Sequence, residues 1–194
     1  MHASASIFAI ASFLSTTIAA STLFSRQNST LAPWLLNELS SFSPSGRPGQ
    51  YPWLHITANI TDPNELILGT SDYDGSDVTV PAGSQGLDCK ATWIIGETPF
   101  GRSWPCDNPG DGLGWWTMKV VDSGHDFSVL NFDLVFSRVA ERIYMGSSYT
   151  RKFEATQHFE ARNQLTGACG ASGVCSWGLK PELAPYAIQQ MEVA

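Results

Sequence analysis

The feature that most constrains the fold of this chain is a series of short segments in which polar and apolar residues alternate. In segment 53–60 every second residue is apolar, which is the period of a β-strand with one buried face. The predicted core face carries Leu54, Ile56, Ala58 and Ile60. The opposite face carries Trp53, His55, Thr57 and Asn59.

Similar segments recur along the chain, separated by clusters of Gly, Pro, Asp, Asn and Ser, which form turns. Further strands are predicted at 65–68, 78–80, 87–95, 115–121, 126–136, 143–149, 151–158, 159–166 and 175–191. Helix signals are scarce, and only 139–144 and the segment after Pro181 are ambiguous. Many short strands with turn signals about every 8–12 residues predict an all-β fold, a compact antiparallel β-barrel or sandwich.

The N-terminal residues differ in composition from the rest. Residues 1–20 contain no Lys, Arg, Asp or Glu and end in small residues, as a cleaved signal peptide does; the alternative is a buried N-terminal helix. Residues 21–50 are predicted to be a flexible arm or pro-segment, because 41–50 (SFSPSGRPGQ) has no apolar period. Within it, 31–39 is predicted to form one or two helical turns, or an unstructured patch on the domain. The β-barrel domain is expected to cover 51–194.

The leader predicts a secreted, extracellular protein. No second apolar stretch of about 20 residues follows, so no transmembrane helix is expected. Two N-x-[ST] sequons, at Asn28 and Asn59, agree with a secretory route. Asn28 lies in a polar stretch, whereas the use of Asn59 depends on whether its side chain faces outward.

The four cysteines are Cys89, Cys106, Cys169 and Cys175, an even number that implies disulfides in a secreted chain. Three connectivities exist, and the simplest pairs Cys89 with Cys106 and Cys169 with Cys175, since each pair closes a short loop. A zinc site is the alternative, but the spacing is not CxxC-like and no His is close in sequence. A catalytic thiol is disfavoured in an oxidising compartment.

The charge balance disfavours two classes of partner. The chain has 11 Lys and Arg against 18 Asp and Glu, a formal net charge of −7. Phosphate binding needs clustered Lys and Arg, so neither nucleic acid nor an anionic membrane is expected as a partner.

The chain contains no GxSxG, HExxH, Walker A or GxGxxG pattern, the motifs of common catalytic and metal-binding sites. His125 lies in a turn sequence and His158 on a predicted strand, and surface or structural roles are predicted for both. Asp72, Asp74 and Asp77 resemble a calcium loop but do not match the EF-hand frame, and Asx-turn chemistry explains them. No cofactor or metal is predicted. A hydrolase with paired carboxylates remains an alternative, although no pair stands out.

Seven tryptophans offer candidate ligand contacts. Aromatic platforms bind sugars, so the predicted contact residues are Trp104, Trp115, Trp116 and Trp177. Trp115 and Trp116 are adjacent and would point to opposite faces of a strand, so only one of them belongs to the core. The alternative places most tryptophans in the core, with Trp93 and Trp177 beside the disulfides.

The cysteine frame and the segments around it resemble a known family. One pair brackets a Trp-containing segment, from Cys89 and Trp93 to Trp104 and Cys106; a Phe-rich strand follows; then comes the close pair Cys169 and Cys175. Over about 51–191 this resembles the small secreted fungal proteins named for the major Alternaria allergen. The resemblance implies a β-barrel with sequential disulfides, no cofactor, and a non-enzymatic extracellular role as an elicitor or effector on plants.

Three functions follow as hypotheses. The first is a secreted fungal effector or elicitor that acts on a host extracellular protein or cell-wall component without catalysis. The second is a carbohydrate- or small-ligand-binding module, and the third is the hydrolase with paired carboxylates. The chain has no Cys between Ser21 and Asp88, where some family members carry one that links a dimer, so a monomer or non-covalent dimer is expected.

Overall fold

The fold is built almost entirely from antiparallel strands. The computed structural model describes residues 31–108, 110 and 112–194. The predicted signal peptide and Asn28 lie outside these residues. The strands are β1 (Trp34–Ser43), β2 (Trp53–Asp62), β3 (Leu66–Thr70), β4 (Asp77–Val80), β5 (Ser84–Ile94), β6 (Trp104–Pro105), β7 (Gly114–Val121), β8 (Asn131–Tyr144), β9 (Ser147–Glu160), β10 (Leu165–Cys169), β11 (Cys175–Leu179), β12 (Tyr186–Ile188) and β13 (Met191–Val193).

Two sheets form the layers of a sandwich. The first has the order β10-β11-β1-β2-β5, with β12 also paired to β1, and the second has the order β13-β9-β8-β7-β6. Strands β3 and β4 form a separate hairpin. The all-β antiparallel prediction is confirmed. Among the described residues the strands do not close into a barrel, so the sandwich is the correct form of the two that the sequence allowed.

The core lies between the two sheets and follows the predicted alternation. Ile56, Ala58 and Ile60 of β2 are buried, as are Phe132, Leu134 and Phe136 of β8. Each strand contributes every second residue, and side chains from the facing sheets fill the space between them. The part of 126–136 that precedes Asn131 is not in a strand, because Ser128 and Asn131 pair through a tight turn.

Both predicted disulfides are present. Cys89–Cys106 joins β5 of the first sheet to the segment after β6 of the second, where Leu87 and Asp107 also form an isolated bridge. Cys169–Cys175 joins directly opposed residues of the β10–β11 hairpin. The first bridge therefore ties the two sheets together along one side of the sandwich, and the second closes a local turn.

The prediction of a flexible arm over 21–50 is wrong for residues 34–43. These form β1, which pairs with β2 on one side and with β11 and β12 on the other. Trp34, Leu36 and Leu39 are buried. The compact unit accordingly begins at Leu31 rather than at residue 51. In the part of the chain that the structure describes, no helix has the length and apolar character needed to cross a membrane.

Candidate functional site

The adjacent tryptophans of β7 point to opposite faces of the second sheet. Trp115 is 48% exposed, whereas Trp116 is 1% exposed. Trp116 Nε1 donates a hydrogen bond to Ser84 Oγ at 3.1 Å, and its ring makes an edge contact with Trp34 at 4.6 Å between centroids. The prediction of Trp116 as a contact residue is therefore wrong, because its side chain belongs to the core.

The other two predicted contact tryptophans are half-buried and lie apart. Trp104 of β6 packs against the core. Trp177 of β11 lies opposite the buried Ser41, and its Nε1 is shielded from solvent. The fold thus does not gather the four predicted residues on one surface, and Trp115 is the exposed member of the set.

A different surface combines exposed rings with polar groups: the outer face of the first sheet along β2. Strand β2 lies between β1 and β5, so outward side chains of all three strands form one continuous row. Directly opposed residues of antiparallel strands share a face. We call this row the outer track; on the paired strands it consists of Glu38, Ser40, Phe42, Trp53, His55, Thr57, Asn59 and Lys90. It also includes Tyr51, whose ring contacts Phe42, and Asp88, whose backbone N–H bonds to Asn59.

One end of the outer track is aromatic. The rings of Phe42 and His55 are stacked, with centroids 4.9 Å apart and planes at 18°. Tyr51 makes an edge contact with Phe42 and is 56% exposed. Trp53 precedes His55 by two residues, so it lies on the same face of β2, and it is 37% exposed. Two exposed rings therefore flank a fixed ring stack.

The histidine in that stack favours its neutral form. Partial burial, and secondarily the nearby charge of Lys90, lower the pKa of His55 below its usual 6.5. The aromatic end therefore presents uncharged rings at neutral pH.

The other end of the outer track is polar and is held by two β-bulges that meet at Asn59. The registers shift between Leu36 and Glu38 on β1 and between Ala58 and Ile60 on β2. Asn59 Nδ2 donates to Glu38 Oε2 at 2.7 Å, and its Oδ1 accepts from the Asp88 backbone N–H at 2.7 Å. This one amide therefore holds the Glu38 carboxylate on one neighbouring strand and the Asp88 backbone on the other.

The same contacts bear on the predicted glycan at Asn59. Its side chain is half-buried, and both of its polar atoms are engaged with neighbouring strands. A glycan on Nδ2 would replace one of its hydrogens and occupy the track. Glycosylation at Asn59 stays a prediction. Because the sugar would leave Nδ2 with a single hydrogen, it would constrain the hydrogen bond to Glu38.

A groove of about 360 Å³ runs beside this polar end. Its lining includes Glu38, Thr57, Asn59, Asp88 and Gly178. Gly178 of β11 lies opposite Ser40, and its missing side chain leaves space for the groove. The Ser40 and Thr57 hydroxyls lie 2.5 Å apart and share a hydrogen bond.

A second polar cluster lies on the outer face of the second sheet. His158 Nδ1 lies 3.2 Å from both carboxylate oxygens of Asp133, and the ring of His125 lies 5.2 Å from that of His158. An Asp–His pair is part of a hydrolytic triad, but here the Ser123 hydroxyl donates to Asp133 instead of to the imidazole. We therefore derive no nucleophilic step from this cluster.

The acidic turn between β3 and β4 is held by its own hydrogen bonds. Asp74 Oδ1 accepts from the backbone N–H and hydroxyl of Ser76, and its Oδ2 accepts from the Tyr144 hydroxyl at 2.9 Å. These bonds, those from Ser76 first, lower the pKa of Asp74 to about 2. Across the described residues, no group of three or more His, Cys, Asp and Glu is arranged to hold a metal ion.

Sequence reasoning placed Trp53, His55, Thr57 and Asn59 together on the outward face of a strand but gave that face no role. The combination of aromatic and polar residues on that one face is the sequence signal that could have identified it as a binding surface. The comparisons add no candidate: no family model, curated protein or solved structure matches this chain.

Proposed function

We propose that this chain is a secreted, non-catalytic binding protein of the fungal effector or elicitor type, which acts outside the cell on a host or cell-wall component. The observation that carries the proposal is the outer track, where exposed rings and a polar groove lie on a central strand of a rigid sheet. Binding surfaces commonly combine apolar rings with a few fixed polar groups.

The state of the cysteines supports an extracellular role. All four cysteines are paired within the chain, which is typical of oxidising compartments. No thiol is then left to link two copies covalently, so we propose a monomer or non-covalent dimer.

Infiltration of the purified protein into plant leaves tests the proposal. We expect a defence response, measured as an oxidative burst, that Trp53→Ala on the outer track reduces. Tyr73→Ala, which removes an exposed ring from the turn between β3 and β4, serves as the matched control and should leave the response unchanged. A folded wild-type protein that gives no response, and whose deletion leaves infection unchanged, would contradict the proposal.

A further inference from the structure

We infer that the outer track is a binding site for a linear, uncharged oligosaccharide. The inference rests on the proposed function, in which this face is the contact surface, and adds the chemical class of the ligand.

The aromatic end supplies the surfaces that a pyranose ring needs. The C–H groups on one face of a sugar are weakly positive and pack on the negative face of an aromatic ring. Tyr51 is 56% exposed and Trp53 is 37% exposed, so each presents ring surface to solvent. Beside them, the stacked rings of Phe42 and His55 hold β1 and β2 together. An apolar peptide would also cover these rings, so the polar end decides the class.

The polar end supplies both acceptors and donors for hydroxyl groups. The carboxylates of Glu38 and Asp88 accept hydrogen bonds, and the ammonium of Lys90 donates them. The hydroxyls of Ser40 and Thr57 do both. A sugar hydroxyl is a donor and an acceptor at once, so this mixture matches a row of hydroxyls better than it matches an apolar side chain.

The charge of the track excludes acidic sugars. Two carboxylates stand against one ammonium at the polar end, and the whole chain carries −7. A polyuronate would be repelled by both, and its carboxylates would lack paired cations on the track. An uncharged glycan avoids this cost.

The length and rigidity of the track favour a chain of sugars over a single one. From Trp53 to Asn59 the track extends about 20 Å at the usual rise of a strand, which several pyranose rings can occupy. Strand β2 is paired on both sides, and Asn59 pins both bulges, so the groups are in place before a ligand arrives. Such preorganisation lowers the entropy cost of binding.

Binding of neutral hexasaccharides to the disulfide-bonded protein tests the inference. Cellohexaose, N-acetylated chitohexaose and laminarihexaose are titrated by calorimetry, which separates plant-wall from fungal-wall sources, with hexagalacturonate as the acidic comparison. We expect at least one neutral hexasaccharide to bind and hexagalacturonate to bind more weakly by about tenfold or more.

One variant on the track, one in the groove beside it and one away from both locate the site. Trp53→Ala removes a ring. Gly178→Leu places a bulky side chain in the groove, where its Cβ would make ordinary van der Waals contact with the Leu39 carbonyl oxygen at 3.5 Å. Each should weaken binding by about tenfold or more, whereas Tyr73→Ala in the turn between β3 and β4 should leave it within about twofold. Thermal melts of the variants show that each is folded.

Several outcomes would overturn the inference: no neutral hexasaccharide binds at millimolar concentration, the acidic one binds best, or binding is unaffected by both Trp53→Ala and Gly178→Leu. Capture of a host protein through Trp53 without glycan binding would also overturn it while leaving the elicitor proposal intact. If a hexasaccharide binds as expected but leaves do not respond, the elicitor proposal fails instead. Hydrolysis of the ligand that Glu38→Gln or Asp88→Asn abolishes would support a hydrolase and contradict the non-catalytic proposal.

Discussion

At the residue scale, the most consequential group is a buried ion pair that joins the two sheets. Arg138 of β8 donates to the carboxylate of Asp62 at the end of β2, and both side chains are 1% exposed. Asp62 also accepts two hydrogen bonds from Asn64, and the guanidinium lies 5.8 Å from the centroid of the Trp116 ring. Within a core of large rings, these groups fix how the sheets meet.

Removing one partner of this pair should be costly. Asp62→Asn leaves the buried guanidinium without its counter-charge and should lower the free energy of unfolding by about 3–5 kcal/mol. Arg138→Met should cost a similar amount, and the double variant should lose less than the sum, since no buried charge is left uncompensated. Urea unfolding of all four proteins measures these values. A loss below about 1 kcal/mol in Asp62→Asn would show that the pair does not constrain the fold.

His55 gives a pH dependence whose sign follows from its lowered pKa. The unfolded chain takes up a proton near pH 6.5, before the folded chain does, so stability falls as the pH drops from 6.5 towards the lower folded pKa. His55→Phe keeps a ring beside Phe42 but cannot titrate. We expect the wild type to lose more of its unfolding free energy than this variant between pH 7.5 and pH 5, measured by urea unfolding. Equal losses would refute the assignment of this pH dependence to His55, since His125 and His158 are present in both proteins.

At the element scale, the two disulfides should contribute unequally. Cys89–Cys106 has a sequence separation of 17 and joins the sheets, whereas Cys169–Cys175 has a separation of 6 and closes one hairpin. By loop entropy the two contribute about 3 and about 2 kcal/mol. Paired Cys→Ala variants of each bridge, compared by thermal melting, should show the larger loss for Cys89 and Cys106. Reduction of both bridges, verified by thiol titration, should lower the melting temperature, and an unchanged value would contradict this role.

Strand β1 should be indispensable, which bears on the predicted pro-segment. A chain that begins at residue 51 lacks three buried side chains, Trp34, Leu36 and Leu39, each of which contributes about 2–5 kcal/mol. Their sum reaches the whole stability of an ordinary domain, so the truncated chain should show no cooperative melt. Cleavage of the loop 44–50 should instead leave β1 bound in the sheet, because its pairing partners remain. If the truncated chain melts like the full one, the residues before 51 are dispensable for folding, as the prediction of a flexible arm requires.

The reason that β1 escaped prediction is its bulge. Trp34 and Leu36 face the core, but the register shifts between Leu36 and Glu38, so the next core residues are Leu39 and Ser41. The extra residue breaks the alternation of period two on which strand prediction depends. In β2 the core residues Ile56, Ala58 and Ile60 keep the alternation, and that strand was predicted correctly.

At the scale of the whole molecule, the choice between barrel and sandwich was beyond local patterns. Both forms need the same alternating strands, and they differ in whether the edge strands find each other. Here β5 and the segment after β6 meet through one isolated bridge and one disulfide instead of a full ladder. The candidate site shows the same limit. The alternation within β2 predicts that Trp53 and His55 share one face. Glu38 and Asp88 join that face only because β1 and β5 pair with β2.

The sequence by itself determined the all-β class and the inward and outward faces of the regular strands, and it favoured the two local cysteine pairs among three connectivities. These depend on neighbours close along the chain: alternation acts over two residues, and each bridge closes a short loop. The tertiary structure decided that Trp34–Ser43 is a central strand, that Trp116 is core while Trp115 is exposed, and that the outer track exists. Each of these depends on contacts between residues far apart in sequence, whose pairing is set by the packing of both sheets around one core.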